Sequence, residues 1–168
     1  TPVSEVFSRE AWRLLEGAYE RVLAGPEDVE ARGRMLLGAH LAGAAIENSM
    51  LGAAHACANP LTARYGTEHG AALASLLPSV VRWNAAGAGA RYAELSGRDS
   101  SADAAGELAR RLEALAEAGG LRRKLSESGV VREDLPALAS DAAGQWTGRF
   151  NPRALDAAGA LEVYGWAY

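Results

Sequence analysis

The chain has 168 residues, of which 49% are hydrophobic and 23% are charged, and its formal net charge is −4. A chain of this length can bury a substantial core as one domain, and the composition is typical of a soluble globular protein. The negative charge, without any run of basic residues, argues against a nucleic-acid-binding surface. The longest run of small apolar residues, 36–46, is too short to cross a bilayer, so we expect no membrane segment.

The expected location is cytoplasmic. The lone cysteine, Cys57, cannot form a disulfide within the chain, and it fits a reducing compartment. Glu5, Arg9 and Glu10 lie where a signal peptide would need an apolar segment.

Apolar residues at helical spacing predict a first helix that begins at Thr1-Pro2 and ends at Gly25-Pro26. A second helix is predicted from about Glu27 to about Ile46. Its later half is rich in Gly and Ala, which have little bulk on any side. Interior glycines weaken a helix, so we expect another helix to approach closely here, and we interpret this helix as central and buried.

A short third helix is predicted to carry His55, with Asn48 or Ser49 as its cap and Pro60 limiting its far end. Thr67 is the predicted cap of a fourth helix, which holds the next histidine in its first turn.

The rest of the chain also shows helical spacing, and no segment alternates with the period of a strand. The predicted elements are a loop at 85–90, one or two turns at 91–96, a helix at 101–118, a short turn at 121–125, a helix at 131–145 and a final helix at 153–166. The predicted fold class is therefore all-α, a multi-helix bundle with residues 1–168 as one domain.

Two of the three histidines, His55 and His69, lie close in sequence, and small residues flank each of them. Neutral imidazole binds Fe, Zn, Ni and Cu, so the pair is a candidate metal site. The alternative is two hydrogen-bonded histidines in a helical core. The remaining histidine, His40, shares a helix face with Glu47, but a hydrogen-bonded core histidine is the better interpretation there.

The residues around the histidines resemble a known family, the iron-containing (group III) alcohol dehydrogenases. The resemblance covers nearly all of this chain but only the C-terminal half of a family member. It rests on six segments: Gly-Ala-Ala-His-Ala-Cys-Ala-Asn-Pro-Leu at 52–61, Arg-Tyr-Gly at 64–66, Glu-His-Gly-Ala at 68–71, Leu-Leu-Pro at 76–78, Val-Arg-Trp-Asn at 81–84 and Gly-Arg-Phe-Asn-Pro-Arg at 148–153.

The resemblance implies the helical C-terminal, metal-binding domain of an NAD(P)-dependent alcohol dehydrogenase, a fold shared with dehydroquinate synthase. Such an enzyme transfers a hydride between a small alcohol or aldehyde and a nicotinamide. By this resemblance His55 and His69 bind a divalent metal, Fe²⁺ in the first place and Zn²⁺ as the alternative. Asn59 would line the cleft where many family members have a further histidine. A homo-oligomer is also compatible with the family.

The chain departs from the family in what it lacks. The family's other two metal ligands, an Asp and a His four residues later, have no counterpart, because no Asp-x-x-x-His occurs here. The dinucleotide-binding half of the family is also absent. NAD(P) would therefore need an N-terminal nucleotide-binding domain or subunit as partner, and we expect the isolated chain to be inactive.

Two other functions stay open. Glycerol dehydrogenase and dehydroquinate synthase are related enzymes on the same fold, although the Asn-Pro-Arg segment favours the alcohol dehydrogenase branch. A stand-alone, non-catalytic helical domain for assembly or partner binding is the alternative from another class.

We predict that the 168-residue chain alone does not bind NAD or NADP appreciably, because it contains no strand followed by a glycine-rich turn and a helix. The nearest glycine-rich segment, 87–89, has no predicted strand before it. Isothermal titration calorimetry with each dinucleotide checks this prediction. A dissociation constant in the low micromolar range would contradict it.

Overall fold

The computed structural model describes residues 1–96, 103–121 and 124–168. These residues form α-helices and short 3₁₀ helices without a strand, which confirms the all-α prediction. The α-helices are α1 (Pro2–Ala24), α2 (Val29–Glu47), α3 (Ala53–Tyr65), α4 (His69–Trp83), α5 (Ala85–Ser96), α6 (Ala104–Ala118), α7 (Leu135–Ala143) and α8 (Ala157–Ala167). The 3₁₀ helices are Leu125–Ser128, Arg132–Asp134 and Trp146–Phe150.

The chain divides into two compact units, Thr1–Met50 and Leu51–Tyr168. A single domain over residues 1–168 therefore stays a prediction. In the part of the chain that the structure describes, no helix is both long and apolar enough to cross a membrane.

The first unit is a hairpin of α1 and α2, and side chains cap the start of both helices. The Thr1 hydroxyl accepts the backbone N–H of Ser4 at 3.2 Å, which confirms the predicted start of α1. Asp28 accepts the N–H of Ala31 at 2.9 Å and so caps α2. Its other carboxylate oxygen accepts from Arg21 near the end of α1 at 2.8 Å, so one side chain joins the two helices.

The interpretation of α2 as a central buried helix is wrong. Its buried residues are the small Ala31, Gly38 and Ala45, while Leu36 is 74% exposed. Gly38 does have the expected reason to be glycine: a Cβ there would lie 2.7 Å from Cγ of Leu15. Small residues thus allow α1 to approach one side of α2, and the large apolar side chains lie on another side.

The second unit holds the main core, to which α3, α4, α7 and α8 contribute most of the side chains. The largest side chains that are fully buried there are Leu61, Leu76, Leu125, Leu138, Val163 and Tyr164. Leu61 belongs to α3 and Leu76 to α4, so the two helices that carry His55 and His69 are anchored in the same core.

The predicted limits of α3 are wrong at both ends. Its N-cap is Gly52 rather than Asn48 or Ser49, and Pro60 lies inside the helix. Proline removes one helical hydrogen bond and normally breaks or kinks a helix. Pro60 and its neighbour Leu61 are both buried, so tertiary packing outweighs the local preference.

The cap of α4 is Glu68 and not the predicted Thr67. The Glu68 carboxylate accepts the N–H groups of Gly70 at 3.0 Å and Ala71 at 2.8 Å. These hydrogen bonds lower the pKa of Glu68. A carboxylate at this end of a helix is also favoured by the helix dipole.

Other predicted boundaries also need correction. The loop predicted for 85–90 is the first half of α5, because alanine favours the helix strongly enough to accommodate two glycines. The helix predicted for 131–145 is split into a 3₁₀ helix and α7. The predicted turn at 121–125 falls partly, and the predicted helix start at 101–102 wholly, outside the described residues.

We predict that Gly159→Ala lowers the free energy of unfolding by about 1–3 kcal/mol, because overpacking a core costs this much. A Cβ at Gly159 would overlap the indole ring of Trp83, which is 2% exposed and has no room to move. Gly165 lies in the same helix with no atom within 4 Å of a Cβ, so Gly165→Ala is the matched control. It should stabilise the protein by up to about 1 kcal/mol through helix propensity. Urea unfolding of both variants measures this, and equal effects would contradict the prediction.

Candidate functional site

The structure brings His55 and His69 together. His55 is the third residue of α3 and His69 the first residue of α4, and their ring centroids lie 5.5 Å apart with the ring planes tilted by 48°. Two imidazoles on one tetrahedral ion, with metal–nitrogen distances of about 2.0–2.1 Å, would have centroids about 5 Å apart. The observed separation therefore fits a pair that shares one ion.

The connection between α3 and α4 explains this proximity. Gly66 ends α3 with a φ of +63°, in the left-handed region that favours glycine. His69 then lies near both His55 and Thr62, which are two helical turns apart on α3, so the connection folds back along that helix. The three connecting residues, 66–68, can span at most about 10 Å, which is about the length of two helical turns.

The surroundings of the two imidazoles favour the ligand state. Burial lowers the pKa of His55, and the neighbouring His69 lowers it further. A neutral imidazole keeps a nitrogen lone pair for a metal. Nδ1 of His69 lies 3.5 Å from the Thr62 hydroxyl oxygen. When Nδ1 carries the proton it can donate to Thr62, and Nε2 is then left for a metal.

Asn59 lies one turn after His55 on α3, and its amide donates to the side-chain oxygen of Gln145 at 3.0 Å. Both residues line an open groove between α3 and the end of α7, with Pro60 and Ser140 among its walls. The role of Asn59 in a cleft stays a prediction. Gln145 was not singled out from the sequence, because it lies 86 residues away from its partner.

The histidine pair has no third protein ligand in the ranges that the structure describes, where no group of three or more His, Cys, Asp or Glu side chains could hold a metal. His40 and Glu47 are both exposed on α2. The interpretation of His40 as a core histidine is therefore wrong.

Asn151, from the Asn-Pro-Arg segment, holds the start of α3 in place. Its side-chain oxygen accepts the backbone N–H of Ala53 at 3.2 Å and the amide of Asn84 at 3.1 Å. Its own amide donates to the Asn84 side-chain oxygen and to the Arg153 carbonyl, both at 2.7 Å. The N-cap residue, Gly52, makes no side-chain cap of its own. Local sequence patterns miss this contact because its partners are far apart in the chain.

A second hydrogen bond joins α8 to α3. The Tyr164 hydroxyl donates to the Cys57 carbonyl at 2.6 Å, and both side chains are fully buried. Burial raises the pKa of the Cys57 thiol to about 12 and also raises the pKa of Tyr164. Cys57 is therefore a small buried residue and not a reactive thiol.

The comparison with protein families decides what kind of domain this is, because all residues from 1 to 168 match the model of the Fe-containing alcohol dehydrogenase family, C-terminal. The chain belongs to this family. The resemblance found in the sequence is thus confirmed, and the chain represents the C-terminal domain of iron-type alcohol dehydrogenases.

Individual relatives agree with the family. Lactaldehyde reductase of Escherichia coli (strain K12) is 34% identical over 172 residues, covering 94% of this chain and 43% of that protein. NAD-dependent methanol dehydrogenase of Bacillus methanolicus is 31% identical, covering 91% and 42%. The solved structure of an alcohol dehydrogenase from Oenococcus oeni matches with a TM-score of 0.93 at 27% identity, covering 100% and 46%. The chain therefore spans less than half the length of these relatives.

We predict that the free energy of unfolding of this alcohol dehydrogenase domain falls as the pH rises from about 9 towards 12. Burial raises the pKa of Cys57 from 9.0 to about 12, so the folded state keeps a proton that the unfolded state releases. The unfolded state then binds fewer protons, and stability decreases with pH across this window. Tyr164 acts in the same direction, since its pKa is also raised.

Urea unfolding at a series of pH values from 8 to 11 measures the slope. Cys57→Ala should make the slope shallower than in the wild type, because it removes one of the groups whose pKa the fold raises. An identical slope in both proteins would contradict the prediction.

Proposed function

We propose that this chain supplies the metal-binding half of an iron-type alcohol dehydrogenase, with His55 and His69 as ligands of a divalent metal. Fe²⁺ is the first choice and Zn²⁺ the alternative. The observation that carries the proposal is the 5.5 Å separation of the two rings. The lowered pKa of His55 supports it, because a ligand imidazole must be neutral.

A bound metal would act as a Lewis acid on the oxygen of the alcohol or carbonyl substrate. The residues of this chain would hold and orient that ion. His55 and His69 would provide two ring nitrogens, and the Thr62 hydroxyl would help to fix the orientation of the His69 ring. Catalytic metal sites usually have three or more protein ligands, so the remaining ligands would come from outside the residues that this chain supplies.

The partner that we propose is an N-terminal nucleotide-binding domain or subunit. The match to lactaldehyde reductase leaves more than half of that protein uncovered, which is enough for such a domain. NAD(P) would bind there, and a small alcohol or aldehyde would bind between the nicotinamide and the metal. The name of the NAD-dependent methanol dehydrogenase supports a nicotinamide cofactor in the family.

We predict that Zn²⁺ binds weakly to the 168-residue chain, at one site formed by His55 and His69. Two ligands leave most of the coordination sphere to water, so a chelator should remove the ion readily. His55→Ala and His69→Ala should each abolish binding in calorimetric titrations. His40→Ala is the control, because this histidine is exposed on α2 and should not matter.

Two results would contradict the metal proposal. One is unchanged Zn²⁺ binding in His55→Ala or His69→Ala. The other is no binding to the wild-type chain at millimolar Zn²⁺. An ion that survives dialysis against a chelator and is lost in His55→Ala would instead mean that further groups complete the site.

We further propose that Asn59 lines the substrate cleft of the complete enzyme. Its place one turn after His55 supports this, because residues i and i+4 share a helix face. An amide can hydrogen-bond to a substrate or ribose hydroxyl but cannot accept and release a proton near neutral pH. The bond to Gln145 uses one amide N–H and leaves the side-chain oxygen for such a contact.

In the full-length enzyme, Asn59→His should add an inflection near neutral pH to the kcat profile, because a histidine can take part in proton transfer. Asn59→Ala should mainly raise KM, because it removes a hydrogen bond without adding a titrating group. The pH–rate profiles of both variants test this. An unchanged profile in Asn59→His, together with normal kinetics in Asn59→Ala, would show that this residue does not face the reaction.

A further inference from the structure

The first turn of α3 depends on a distant side chain. The first N–H groups of any helix lack partners within the helix, and a Ser, Thr, Asp or Asn at the N-cap position usually supplies one. The N-cap of α3 is Gly52, which has no side chain to offer. The oxygen of Asn151, 98 residues further along the chain, accepts the N–H of Ala53 instead.

The same amide group also holds the end of α4. Asn84 is the C-cap of α4, is 4% exposed, and forms a reciprocal pair of hydrogen bonds with Asn151 at 3.1 and 2.7 Å. The fourth bond, to the Arg153 carbonyl, fixes the orientation of the Asn151 amide. One side chain thus joins the start of α3 to the end of α4.

This bridge joins the two helices that carry the histidine pair. His55 follows Ala53 by two residues, and His69 begins the helix that Asn84 ends. The two anchoring points therefore sit on the two helices whose relative position sets the distance between the imidazoles. We therefore expect that a displacement of the start of α3 would move His55.

We propose that Asn151 is a positioning residue for His55: it acts as the missing N-cap of α3 and so keeps the His55 ring opposite the His69 ring. The expected effect on metal binding rests on the proposed function, but the effect on the placement of the rings does not. The geometry of the two rings can be measured without a metal.

The first test compares Asn151→Ala with the wild-type chain by NMR. The Ala53 amide should exchange with solvent about tenfold faster in the variant, as expected from losing a helix cap. The nuclear Overhauser effect between the ring protons of His55 and His69 should be lost. Unchanged exchange and an unchanged ring contact would overturn the proposal.

A control variant separates positioning from general loss of stability. Val163→Ala shortens a fully buried side chain of α8 that takes no part in the four hydrogen bonds of Asn151. It should lower stability while leaving the ring contact intact. Loss of the contact in Val163→Ala as well would attribute the effect to stability alone and overturn the proposal.

The sharpest test replaces the cap. Gly52 has extended backbone angles, with φ −140° and ψ −152°, which a serine can adopt, and a serine hydroxyl is a good N-cap. In the wild type a Cβ at Gly52 would lie 3.1 Å from the Asn151 side-chain oxygen, so Gly52→Ser alone should destabilise the protein. In Asn151→Ala that oxygen is gone. In the double variant the new hydroxyl should accept the backbone N–H of Ala54 or His55, which are the groups that an N-cap side chain reaches. Slow exchange of that amide and the ring contact should then return.

The double variant also decides the case in which Asn151→Ala does not fold. A folded double variant with the wild-type ring contact supports the proposal. An unfolded double variant, or a folded one without that contact, overturns it, because a replacement cap would then be insufficient.

A Zn²⁺ titration of the same proteins keeps the two proposals distinguishable. Affinity should fall in Asn151→Ala and return in the double variant. If the wild-type chain binds no Zn²⁺ but the ring contact follows the pattern above, the metal function is wrong and the role of Asn151 stands. If Zn²⁺ binds equally well to every variant and the ring contact never changes, the role of Asn151 is wrong and the metal function stands.

Discussion

The proximity of the two histidines depends on the reversal of the chain between α3 and α4. Gly66 reverses the chain in a left-handed conformation, and the Glu68 carboxylate starts the next helix through two backbone N–H groups. His69 consequently lies alongside α3, near His55 and Thr62. A side chain at position 66 would oppose this conformation, since only glycine adopts it without strain.

Anchoring of the backbone adds to this constraint. Asn151 fixes the start of α3, and the Tyr164 hydroxyl fixes the middle of that helix at the Cys57 carbonyl. The two contacts place His55 between fixed points of the backbone without touching its ring. Under the proposed metal function, folding already places the two imidazoles, so little further ordering of the site is needed when an ion binds.

Local signals were enough to predict part of this structure. The Thr1 cap and the all-α class follow from spacing and composition, and the motif around His55 and His69 identified the family. The start of α3 and the interior Pro60 could not be predicted, because local preference is overruled there by contacts with buried neighbours. For α2, spacing shows which residues are apolar but not what covers them, so its burial was overestimated.

The features of the candidate site that the sequence did not predict are contacts between residues far apart in the chain. Gln145 pairs with Asn59 across 86 residues, and Asn151 reaches Ala53 across 98. Gln145 has no titrating or metal-ligating group that would single it out in a sequence. Asn151 was noted only as part of the Asn-Pro-Arg segment, which does not reveal the contacts of its side chain. Their role is to form hydrogen bonds near the candidate site. Gln145 accepts from Asn59, and Asn151 accepts from the start of α3, two residues before His55. An amide is suited to this work because it donates and accepts at once without changing charge, so the positions it fixes do not depend on pH.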